Sequence, residues 1–141
     1  MEEINKQSRQ LSNISMPRAF ALMGALGVAL GAFGAHALKD TRAPQQLETW
    51  KTATLYLLVH SVLGVCLSFV ANFKKSDPGH AKFDFFVPRS SLYLFLFGTG
   101  IFSTALYALV LFEFSPLGAV APIGGLMMIS GWLILVFRLK I

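Results

Sequence analysis

The sequence predicts an all-α membrane protein whose four transmembrane helices form an antiparallel bundle. Three observations lead there. Of 141 residues, 55 % are hydrophobic and only 13 % are charged, about half the charge that soluble domains carry. The charge is missing because four stretches exclude it, each near the roughly 20 residues that a bilayer core about 30 Å thick requires. Inside lipid every backbone group must pair within its own segment, so each stretch is expected as a helix. A soluble globular domain is excluded by these numbers. Intrinsic disorder is excluded with it by an apolar content that includes 13 Phe. The single cysteine, Cys66, permits no internal disulfide and no cysteine-based zinc site.

The chain opens with a polar head, residues 1–18, that has no apolar periodicity. Free tails of this kind stay disordered unless something ties them down, so the head reads as an arm for docking on a neighbour. Glu2 and Glu3 make it a poor transit peptide. The first span, 19–38, lies between Arg18 and the pair Lys39-Asp40. Ala35-His36-Ala37 resembles a signal-cleavage site, but the apolar region exceeds the usual 7–15 or so residues, so a retained span is expected. Gly24, Gly27, Gly31 and Gly34 recur at steps of three, four and three, which puts all four on one face. Small residues let helix backbones approach closely in lipid, and the stripe is read as a packing face.

The next loop holds Pro44 and then Gln45 to Trp50, read as a short interfacial helix with Trp50 anchored at the headgroups. The second span, 52–73, stops at Lys74-Lys75. Asp77-Pro78-Gly79 marks a turn in the following loop. The third span, 90–112, ends at Glu113, expected to be solvated. The fourth, 119–137, enters through Pro122-Ile123-Gly124-Gly125 and continues to Gly131 before a basic tail, 138–141. Gly124 and Gly125 are read as a second packing surface. Pro122 is expected to open the helix locally and expose a carbonyl.

Nine Lys and Arg lie on the side of the termini and three on the other. The positive-inside rule therefore puts both termini in the cytoplasm, or in the matrix of a mitochondrion. The net charge of +5 sets topology and meets lipid headgroups, and calls for no nucleic acid.

Ionisable groups inside a membrane are functional candidates. Two histidines qualify. A rise of about 1.5 Å per residue puts His36 roughly 3 Å and His60 roughly 12 Å below the outer surface. Tyr56 shares a face with His60, and Ser103 with Tyr107, each pair being four residues apart. Tyr56, His60, Ser103, Tyr107 and the Pro122 entry agree in depth and, with His36 nearer the surface, are expected to form a buried polar cluster in the outer half. Three roles compete: a hydrogen-bond network that fixes helix register, haem held by both histidines, and a quinone, small-ligand or proton site at His60. The depth mismatch of about 9 Å disfavours the haem. Two histidines without a carboxylate make no metal site. No nucleophile stands beside a base, so no enzymatic activity is expected. No cofactor is expected beyond bound lipids.

Gly31-Ala32-Phe33-Gly34-Ala35-His36-Ala37-Leu38, then Trp50-Lys51-Thr52-Ala53 with Tyr56 and His60, then Gly100-Ile101-Phe102-Ser103 with Leu106-Tyr107, then Pro122-Ile123-Gly124-Gly125 and Gly131-Trp132 form an ordered set. Together they resemble the transmembrane protein 256 family, whose bacterial relatives carry the domain of unknown function 423. The likeness spans roughly residues 17–137. Relatives tend to have Ser-Gly-Ser where this chain has Ser103-Thr104-Ala105, which predicts a looser approach of spans three and four. The resemblance implies a small four-span protein of the bacterial cytoplasmic or mitochondrial inner membrane, and brings no activity or cofactor with it. The function expected is that of a non-catalytic accessory subunit in a larger membrane assembly, foremost a mitochondrial respiratory-chain complex. Its partners would be lipids and other membrane subunits. The alternative is a stand-alone membrane protein that handles a small ligand, quinone or proton at His60.

Overall fold

A computed structural model describes residues 2–76 and 87–138, with side chains over 16–71 and 87–138. The Asp77-Pro78-Gly79 turn and Lys140 of the tail lie outside the described residues. Four long helices make up the molecule: α1 (Glu2–His36), α2 (Pro44–Ser76), α3 (Arg89–Phe112) and α4 (Ala121–Arg138). A 3-10 turn, Ser115–Ala119, leads into α4. Each helix contains a segment long and apolar enough to cross a membrane: Met16–His36, Pro44–Ala71, Arg89–Phe112 and, with the 3-10 turn, Ser115–Arg138. α1 runs unbroken through Pro17 back to Glu2. The interfacial helix expected over 44–50 is not separate: it is the first two turns of α2. Pro44 suits the first turn, where its missing N–H has no partner to lose. Gln46 completes the start by accepting the Ala43 N–H at 3.0 Å.

α1 packs on α2, α2 on α3 and α3 on α4, and α1 touches α3 lightly. Among the described residues α1 makes no contact with α4, nor α2 with α4. The four antiparallel helices therefore form a row rather than a closed ring. Its two ends, α1 and α4, each leave a broad apolar face uncovered.

The α1–α2 seam is built on the glycine stripe. A methyl group on Gly24 would lie 3.4 Å from Ser61 Cβ, on Gly27 2.8 Å from Leu58 Cδ2, and on Gly31 3.2 Å from Thr54 Cγ2. On Gly34 it would collide with the Trp50 indole. Each step of three or four down α1 is matched by a step of three or four back along α2, and the series ends where Phe20 fills the space over Gly64. The stripe thus serves packing within the chain.

The α3–α4 crossing is tighter. A methyl group on Gly124 would meet the Phe102 backbone nitrogen at 2.6 Å. One on Gly98 would meet the Gly124 carbonyl oxygen at 2.9 Å. Two helix backbones touch there, beside a buried Thr99 hydroxyl 3.3 Å from Met128 sulfur. Gly131 admits the Phe95 ring. Gly125 faces open space, as does Gly100, so neither packs against another described helix of this chain. In the step Ser103-Thr104-Ala105, Ser103 points to α2 and Thr104 is exposed, while the buried Ala105 continues the α3 face of Gly98 and Phe102.

Candidate functional site

α2 buries a face that carries Trp50, Ala53, Leu57, His60, Ser61 and Leu67. The steps of three and four are those of one helix face. α3 presents Ser91, Phe95, Thr99, Ser103, Tyr107 and Val110 by the same rule. Where α2 and α3 meet, their polar groups sort into levels. Nearest the α1–α2 and α3–α4 connections, Tyr107 Oη and Thr54 Oγ1 lie 2.9 Å apart, and the Tyr107 ring centroid is 4.4 Å from that of Trp50. Next, the buried Ser103 hydroxyl donates to the Ala53 carbonyl at 2.9 Å. Deeper still lies His60.

His60 is 6 % exposed. Its Nδ1 is 3.0 Å from the Tyr56 carbonyl oxygen. A carbonyl only accepts, so Nδ1 carries the proton and Nε2 of the neutral ring keeps a bare lone pair. That Nε2 is buried and has no hydrogen-bond partner. Tyr56 stacks on the imidazole at a centroid distance of 5.8 Å, and Phe95 lies 5.7 Å away on α3. Phe95 in turn meets Trp132 of α4 edge-on at 5.3 Å. His60 thus sits in an aromatic cage with one unsatisfied acceptor. The same seam holds two more unpartnered buried hydroxyls, Ser68 and Ser91.

The residues expected to form one cluster are therefore arranged differently. Tyr56 and His60 come together. Ser103 and Tyr107 lie on the same seam but spend their hydroxyls on Ala53 and Thr54, not on His60. His36 is exposed at the end of α1. By the register of α1 on α2, where Gly24 faces Ser61 and Gly34 faces Trp50, it stands about 16 Å along the helix axis from His60. The two histidines cannot ligate one iron. Pro122 is exposed in the first turn of α4, where no helical hydrogen bond exists to be broken. It opens no carbonyl toward the cluster.

Several contacts were not anticipated. Trp50 is no headgroup anchor: it is 2 % exposed, and its Nε1 donates to the Leu30 carbonyl at 2.8 Å. Its neighbour Gly34 in the stripe was the available signal, since a bare glycine opposite a Trp invites the ring. Glu113 is not merely solvated. It accepts from Arg42 Nη1 at 2.5 Å and from Gln46 Nε2 at 3.3 Å, and Arg42 also caps the Leu111 carbonyl at 3.2 Å. Glu113 itself adopts φ 55 and ends α3 by donating its N–H to Leu109. This polar clasp ties the α1–α2 connection to the end of α3. Phe95 and Thr99 do not stand out in the sequence, because an unbroken apolar run gives no sign of which side meets a neighbour.

The comparisons agree that this is a membrane protein. A membrane protein of Staphylococcus epidermidis, described as a UPF0382 membrane protein, is 33 % identical over 123 residues, 84 % of this chain and 93 % of that relative. A UPF0382 membrane protein of Schizosaccharomyces pombe is 36 % identical over 118 residues, covering 79 % of this chain and 90 % of its own. The UPF0382 membrane protein YwdK of Bacillus subtilis is 32 % identical over 123 residues, 84 % of this chain and 94 % of its own. No solved structure matches. The profile of the family described as "Protein of unknown function (DUF423)" matches residues 30–125, from the Gly31–Leu38 motif through the Pro122–Gly125 entry. With most of its length aligned to both, this four-helix integral membrane protein belongs to the DUF423 family, the one its motifs resemble.

Proposed function

We propose that the chain is a non-catalytic structural subunit of a larger membrane assembly, with partner helices lying against α1 and α4. The observation that carries this reading is the open row. α1 exposes Leu22, Leu26 and Val28, and α4 exposes Ile129, Leu133 and Val136, with no contact between the two helices among the described residues. Relatives occur in the bacteria Staphylococcus epidermidis and Bacillus subtilis and in the yeast Schizosaccharomyces pombe. A respiratory-chain complex, of a bacterial cytoplasmic or a mitochondrial inner membrane, is the kind of assembly proposed. The distribution of Lys and Arg supports termini in the cytoplasm or matrix. The test is a native gel of the source membranes in mild detergent, followed by mass spectrometry of the band that holds this chain. Migration with a large complex supports the proposal. Migration as a monomer or small homo-oligomer overturns it.

One observation favours a second reading, a small-ligand, quinone or proton site. It is the bare Nε2 of His60, an acceptor with no donor. Buried polar atoms of this kind call for an explanation. Replacing His60 with Leu separates the two readings. Under the structural reading, co-migration with the complex is unchanged. Under the ligand reading, an intact fold loses a bound molecule that extraction and mass spectrometry detect in the parent protein.

A further inference from the structure

Between α1 and α2, at the end that carries their connecting loop, lies a half-open slot of about 580 Å³. That is within the range of roughly 300–1,000 Å³ typical of small-molecule sites. Gly31, Gly34 and Ala35 form one wall, and Thr54, Leu55 and Leu58 the other. Trp50 also lines it, held by its bond to the Leu30 carbonyl. The glycines cannot be replaced by larger residues that would fill the space, because their Cβ positions point at Thr54 and Trp50. The slot follows α1 from residue 39 to residue 31, roughly 12 Å. Its walls are apolar, and two charged residues line it: Lys39, at the α1–α2 connection, and Lys51, on α2 at the level of Gly34. The three carboxylates at the connecting-loop end are elsewhere. Asp40 and Glu113 do not line the slot, and Glu113 is engaged by Arg42. Glu48 also lies outside it and pairs with Lys51 at 2.7 Å, both side chains being 71 % exposed. So exposed a pair is weak, and a phosphate can share or displace it.

We propose that this slot binds one acyl chain of an anionic membrane phospholipid, whose phosphate sits between Lys39 and Lys51. Apolar walls of this length suit a chain and exclude a soluble ion. A cationic mouth at headgroup depth selects acidic over zwitterionic lipids. The site is independent of whether the chain has protein partners.

The test uses the purified full-length chain in neutral detergent. It is titrated with phosphatidylglycerol or phosphatidylcholine, and retained lipid is counted by native mass spectrometry. Preferential retention of phosphatidylglycerol is expected. The double variant Lys39→Gln/Lys51→Gln should lose that preference by about thirtyfold, with phosphatidylcholine unaffected. Ala35→Leu, which projects into the slot from an exposed position, should reduce retention of both lipids while the helical circular dichroism is kept. Glycerol 3-phosphate in large excess should displace nothing. Equal retention of the two lipids by the parent protein, unchanged preference in the double variant, or displacement by the soluble phosphate would each overturn the proposal.

Discussion

Adding one methyl group to Gly64 would drive it into the ring of Phe20, a residue with 0 % exposure and nowhere to move. Gly64→Ala is therefore expected to destabilise the fold by about 1–3 kcal/mol, the usual cost of overpacking. Reversible unfolding in mixed SDS micelles would measure it, and a neutral result would deny the close contact. Trp50→Phe keeps most of the ring but loses the donor to the Leu30 carbonyl. It should cost about 1 kcal/mol by the same assay, since hydrogen bonds within membrane bundles are of that modest size. His60 presents the opposite case. Its one hydrogen bond goes to a backbone carbonyl, and its Nε2 has no partner to strand. His60→Leu should stay within about 1 kcal/mol of the parent. A larger loss would mean that Nε2 is occupied in the membrane. These residues were only partly legible in the sequence. The depth of His60 follows from counting residues, and its sharing a face with Tyr56 follows from the helical period. That Ser103 would choose the Ala53 carbonyl, and leave His60 unsatisfied, depends on how α3 is rotated against α2.

At the scale of the helix, adjacent glycines make the sharpest test. Gly124 and Gly125 look alike in the sequence, but Gly124 meets the backbone of Gly98 and Phe102 while Gly125 meets nothing within 4 Å. A backbone cannot turn aside as a side chain can. Gly124→Ala should cost about 1–3 kcal/mol. Gly125→Ala should be neutral or stabilise by up to about 1 kcal/mol, because alanine is the better helix former. Equal effects at the two positions would refute the crossing. The first-span stripe was readable because four glycines at steps of three and four mark one face whatever it packs against. Its partner was not, since α2 has no matching motif: it answers with Ser61, Leu58, Thr54 and Trp50, each of a different shape.

Across the whole molecule, each helix meets mainly its neighbours in chain order. Short connections favour such pairing. With Cys66 replaced by Ser, cysteines introduced at Gly24 and Ser61 should form a bond within one chain, as those positions face each other. Cysteines at Leu22 and Ile129, on the two uncovered faces, should form none within a monomer. A fast-migrating oxidised band from the second pair on a denaturing gel would mean that the row closes. The exposed clasp of Arg42 and Glu113 joins distant connections, and exposed ion pairs contribute little to stability. Its worth is in holding the end of α3 beside the start of α2.

Sequence alone determines that this chain crosses a membrane four times as helices. The reason is that lipid leaves the backbone no other way to satisfy its hydrogen bonds, and twenty apolar residues in a row can be counted. It also carries the family, through motifs that survive in their order and spacing. Which faces of those helices meet is decided in the tertiary structure. In a soluble helix the core side is the apolar one, so the pattern betrays it. Here lipid and protein interior are equally apolar, and Leu55 on the outside looks no different from Leu57 within. Only the fit of shapes separates them: Gly34 beneath Trp50, Gly64 beneath Phe20, and Gly98 against Gly124. That fit set the row of helices, removed His36 and Pro122 from the polar cluster, and left the slot between α1 and α2.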